Sequence, residues 1–159
     1  MVEDNQVIRD CSSEIDKIKL LIDKDKINSN IKFLVSYSII KTCGSIEIIF
    51  KTMIHEYLSK GCIDHTAKYL ERSIIDSSMN PNTNKIKDLI CQFDGHLGEE
   101  FENKVKEGNL KNDLNSLVKL RNTVAHGRDV TVGISTVEQY YQSGIRVLII
   151  LEELLFKDK

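Results

Sequence analysis

Tryptophan is absent from this 159-residue chain, proline occurs once and glycine only eight times. Sandwiches and barrels need Gly and Pro at frequent chain reversals, so this scarcity favours helices. An excess of positive charge is also missing: 22 Lys and Arg stand against 24 Asp and Glu, a net −2. That excludes a protein working through a broad basic face, though not one with a small local basic site. No CxxC pair exists among Cys11, Cys43, Cys62 and Cys91, and the opening Met1-Val2-Glu3-Asp4 has no signal-peptide pattern. The four cysteines therefore read as reduced, mostly buried thiols of a cytoplasmic protein. The longest uninterrupted apolar run, Val147 to Leu151, is far too short to span a bilayer, so no membrane partner is expected.

Metal and nucleotide motifs are missing as well. His55-Glu56 is not followed by the second histidine of a zinc-protease helix, and no Gly-rich phosphate loop is present. His55, His65, His96 and His126 lack paired ligand spacing, so neither a metal nor another cofactor is expected.

What is present is helical periodicity. With 41% hydrophobic and 29% charged residues, the chain is long enough for one domain over 1–159 with a real core. Apolar residues recur at steps of three and four over 3–24, starting with Val7, Ile8 and Cys11. A second helix is expected over 30–59, capped by Asn28, Ser29 or Asn30, or roughly 45 Å at 1.5 Å per residue. Its wide face, including Val35, Ile39, Cys43, Ile46 and Phe50, predicts a central helix touching several neighbours. Gly44 within it predicts close helix–helix approach or a mild kink, and Gly61 its stop. Shorter helices follow at about 65–77, capped by Asp64, at 83–93 and at 98–107, with a clear break at Ser77-Ser78-Met79-Asn80-Pro81-Asn82. The last two are an amphipathic helix at about 110–126 and a strongly apolar one from Ser135 onward. Ser135-Thr136-Val137-Glu138 predicts a capping box, and the width of the final stripe predicts burial against both the chain's own core and a second subunit. The fold class is all-α, a bundle of about five to seven helices.

One stretch departs from this pattern. Leu110, Leu114, Leu117, Val118 and Ala125 share a stripe, and Arg121 falls in the middle of it. An always-charged guanidinium on an apolar stripe needs a partner or a water-filled cleft. His126 lies at the helix C-terminus, where the dipole favours imidazolium. Residue type alone leaves structural readings open: Arg121 paired with Glu47 or another carboxylate, and His126 as a helix cap. Arg128 reads as a solvated loop arginine or a phosphate contact, and Tyr140 and Tyr141 as packing or interface residues.

Arg121-Asn122-Thr123-Val124-Ala125-His126-Gly127 resembles the R-x(4–6)-H signature of HEPN domains, whose arginine is commonly followed by a polar residue. The RiboL-PSP-type HEPN group of ribonuclease-like domains is the nearest in flavour, and Gly44-Ser45-Ile46-Glu47 in a long early helix is similar to that group too. The likeness rests on 40–60 and 113–156, and the middle third adds nothing to it. It implies an all-helical homodimer with the two motifs facing one cleft. It also implies metal-independent endoribonuclease activity that leaves a cyclic phosphate. Arg121 and His126 are then the catalytic pair, Asn122 supports them, and Glu47 and Arg128 are secondary candidates. RNA is the implied substrate. The implied setting is a toxin or defence effector controlled by an antitoxin or sensor protein, and the alternative is a catalytically inactive HEPN dimer acting as a scaffold.

The chemistry suits that implication. Cleavage through the 2′-hydroxyl needs two proton transfers and a stabilised phosphate charge; histidine can move protons near neutral pH and arginine offers a planar fork. Residues five apart on a regular helix diverge by about 140°. Either the helix unwinds before His126, as Gly127 would allow, or a second copy completes the site.

Overall fold

The computed structural model describes Val2 and residues 4–157; the expected start of the first helix at Glu3 lies outside them. Seven α-helices make up the fold, and no strand occurs among the described residues. They are α1 (Gln6–Lys24), α2 (Ile31–Ser59), α3 (Asp64–Leu70), α4 (Thr83–Cys91), α5 (Gly95–Val105), α6 (Leu110–Ala125) and α7 (Ile134–Phe156).

α2 is the central helix. It packs against α1, α3, α6 and α7, and buries Val35, Ile39, Cys43, Ile46, Ile49, Phe50, Met53 and Ile54. By length and composition it could cross a bilayer, with a mean hydropathy of 1.5. Its buried residues account for that character as a core helix. The other long apolar helix, α7, packs on α2, α5 and α6. Fully enclosed between them are Ile46, Phe50, Leu114, Leu117, Tyr141, Leu148 and Leu151.

Several local expectations are corrected. α3 is short and passes into a single widened π turn, Glu71–Ile75, closed by the Asp76 N–H on the Glu71 carbonyl at 3.2 Å. Its N-cap is Ile63, not Asp64. The Asp94 side chain accepts the Leu97 N–H at 2.9 Å and starts α5 at Gly95, ahead of the start expected at 98. The Ser135–Glu138 capping box does not form. α7 begins at Ile134 with Gly133 as N-cap, and Glu138 instead pairs with Lys19 of α1 at 2.6 Å.

Gly44 is not a close-approach site, since a methyl there would meet nothing within 4 Å. The close approach is at Gly144, where a methyl would collide with the Ile46 side chain of α2. Of the wide apolar stripe of α7, Val137, Tyr141, Val147, Leu148, Leu151, Leu154 and Leu155 are buried within the chain, while Tyr140, Ile145, Ile149 and Ile150 are half-buried. Large exposed apolar side chains sit elsewhere, at Leu20 and Leu21 of α1 and Phe33, Tyr37, Ile40 and Ile48 of α2. All four cysteines are free, but only Cys11 and Cys43 are buried.

Candidate functional site

α6 carries the candidate pair. Leu114, Leu117 and Val118 fix its inner face against the core, and Arg121 follows one turn later on the same side. The stripe thins beyond that point: Val124 is half-buried and Ala125 exposed. Arg121 is half-buried, at the edge where α6 meets α2. Its charge is felt by Cys43 of α2, whose thiol burial pushes up to about 12 while Arg121 opposes the shift and Glu47 adds to it.

The expected Arg121–Glu47 pair does not form. Glu47 takes Lys51 instead, one helical turn along α2, at 2.7 Å. Arg121 makes no ion pair among the described residues, and both its side-chain partners are neutral. Nη1 donates to the Asn80 side-chain oxygen at 3.1 Å and to that of Asn122 at 3.3 Å. An arginine oriented by amides keeps its full charge available to an anion.

Asn80 comes from the segment joining the π turn to α4, and that segment is anchored at both ends. Lys51, only 6% exposed, donates to the carbonyl of Ile75 at 3.4 Å and to that of Ser77. The Met79 N–H reaches Glu47 at 3.4 Å. After the buried Pro81, Thr83 donates its N–H and hydroxyl to the Asn115 side-chain oxygen of α6 at 3.0 and 3.2 Å. Proline keeps the preceding residue out of the helical region, which narrows the conformations of Asn80. Sequence reasoning missed this residue; the only signal was its place in a polar break immediately before the single proline.

His126 caps α6 and is exposed. The helix does not unwind before it: its N–H still bonds the Asn122 carbonyl at 3.1 Å. The chain turns only at Gly127, with φ +70. The Gly127 N–H meets the Val124 carbonyl at 2.9 Å and the Arg128 N–H the Thr123 carbonyl at 3.1 Å, the paired bonds of a glycine-terminated helix. The Arg128 side chain is exposed in the loop beyond. Within one chain, Arg121, Asn122 and Asn80 are therefore brought together, while the five-residue step along α6 sets His126 about 140° round the helix from Arg121. Glu47 faces the same region but serves Lys51. Among the described residues no three His, Cys, Asp or Glu side chains cluster as a metal site would require.

The model of the RiboL-PSP-HEPN family matches residues 7–157. The chain belongs to the RiboL-PSP-HEPN family. The match runs through the middle third, which the resemblance alone had left out, so the Asn80 segment lies inside the family's domain. HEPN membership gives a ribonuclease-like or nucleotide-binding function in coarse outline. No curated protein and no solved structure matches the chain.

Proposed function

We propose that this HEPN protein is a metal-independent endoribonuclease in which a second copy of the chain completes the site. The observation that carries this reading is the state of Arg121, half-buried, held by two amide oxygens and not neutralised by a carboxylate among the described residues. Such a group binds the non-bridging oxygens of a phosphodiester and stabilises the extra charge of the transition state. His126 acts as general acid or base on the 2′-hydroxyl or the leaving 5′-oxygen.

Two features support a dimeric site. α6 keeps its helical bond up to the His126 N–H, so the five-residue step sets Arg121 and His126 of one copy about 140° apart around the helix. One motif histidine per chain also falls short of two proton transfers, whereas two copies supply two. The exposed apolar residues of α2 offer surface for the contact. A cytoplasmic toxin or defence effector, restrained by an antitoxin or sensor protein, is the setting this activity implies.

The test is cleavage of an end-labelled, mixed-sequence single-stranded RNA in excess EDTA. Wild-type protein is expected to leave 2′,3′-cyclic phosphate ends and to spare the same sequence as DNA. Arg121→Ala and His126→Ala are each expected to lower the rate about 10²-fold or more with the helical fold intact. Undiminished cleavage by His126→Ala, or cleavage of the DNA, would refute the mechanism. A folded dimer inert toward varied RNAs would favour the scaffold alternative.

A further inference from the structure

We propose that Asn80 is a positioning residue for Arg121, delivered by a segment that Lys51 and Glu47 strap to α2. The inference rests on the ribonuclease reading for its consequence, but not for its geometry.

The argument starts from the five N–H donors of a guanidinium. Nη1 donates to both amides, to Asn80 at 3.1 Å and to Asn122 at 3.3 Å. That leaves the edge formed by Nη2 and Nε, which is the edge that can grip two phosphate oxygens side by side. The two amides thus select which face of the fork is presented. Asn122 alone is a weak guide, because it is the next residue on the same helix and its bond is the longer. Asn80 approaches from a different element and fixes the fork from outside α6.

Its chemical type matters as much as its place. An aspartate there would orient the fork equally well and cancel its charge. An asparagine orients without cancelling. Its supports form a chain of contacts: Lys51 on the carbonyls of Ile75 and Ser77, Glu47 on the Met79 N–H, and Asn115 holding Thr83 beyond Pro81. The Glu47–Lys51 pair, with Lys51 buried and Glu47 half-buried, therefore acts on the site through backbone, not by touching substrate.

The experiment uses full-length protein, a single-stranded RNA oligonucleotide, and the side-chain Nε–H signal of Arg121 in nitrogen-15 NMR. Asn80→Ala is expected to broaden or shift that signal and to lower kcat about 10-fold with KM little changed. Asn80→Asp, which keeps the shape, is expected to retain an ordered signal, to raise KM about 10-fold, and to reduce the salt dependence of RNA binding by about one phosphate contact. A merely structural role would make the two variants alike in kinetics. An Arg121 signal unchanged by Asn80→Ala overturns the positioning, whether or not the wild type cleaves RNA. A wild type that cleaves nothing while its Arg121 signal responds to Asn80→Ala upholds the positioning and refutes the ribonuclease reading.

Discussion

Two glycines sit in the interiors of the two longest helices, and the same substitution should act on them with opposite sign. Replacing an interior helical glycine by alanine gains about 0.8–1.0 kcal/mol from backbone propensity alone. At Gly44 a methyl meets nothing within 4 Å, so Gly44→Ala should stabilise by about 1 kcal/mol. For a chain of 159 residues, an unfolding entropy of about 2.1 cal/mol/K per residue makes that roughly 3 °C in Tm. At Gly144 the methyl lands on Ile46 Cδ1, with Ile46 Cγ1 at 3.3 Å and Leu114 Cδ1 at 3.5 Å. Ile46 and Leu114 are both 0% exposed, so neither can swing into solvent. Overpacking of this kind costs about 1–3 kcal/mol. Set against the same propensity gain, Gly144→Ala should be neutral to about 2 kcal/mol destabilising. Urea unfolding followed by far-UV circular dichroism, at one protein concentration, measures both. A double variant checks the cause. Ile46→Val removes the colliding methyl, so its loss and that of Gly144→Ala should be less than additive. If Gly144→Ala stabilises as much as Gly44→Ala, the close approach of α7 to α2 is refuted.

Lys51→Met should destabilise by about 3 kcal/mol, since it leaves Glu47 as a largely enclosed carboxylate without its cation and frees two carbonyls; a loss under about 1 kcal/mol in the same assay would contradict the strap. Cys43 should stay protonated in the native state to about pH 12 because burial opposes the thiolate. An unfolded thiol ionises near pH 8.5. Between those values unfolding releases a proton, so this group makes stability fall as pH rises. Iodoacetamide at pH 8 should therefore modify the exposed Cys91 in the native protein but Cys43 only in denaturant, and peptide mapping that finds Cys43 modified in the native protein would refute its burial.

Much of the fold was legible because apolar spacing is a local property. The stripes of α1, α2, α6 and α7 follow directly from residues three and four apart, and so does the inward side of Arg121. What escaped were choices between competing partners. Glu47 had two cations within reach, and Lys51, one turn away on the same helix, gains it with little chain entropy while Arg121 does not. Ser135 and Glu138 match a capping box, yet burial of Ile134 starts α7 a residue earlier and Lys19 claims Glu138. A glycine signals room for a close neighbour without saying whether one is there, which is why Gly44 misled while Gly144, on the apolar face of the final helix, was not read as a close approach. Asn80 was hidden for the same reason. Nothing in a polar turn says which distant side chain it will meet.

The pairing of Asn80 with Pro81 also bears on how the protein ages. Asparagine deamidates spontaneously when the backbone nitrogen of the next residue attacks its side-chain carbonyl and closes a succinimide ring. That route would turn Asn80 into the charge that silences Arg121. Proline's nitrogen carries no hydrogen and is already fully substituted, so the ring cannot close. The residue that narrows the conformations of Asn80 therefore also closes the succinimide route by which a charge would arise beside Arg121.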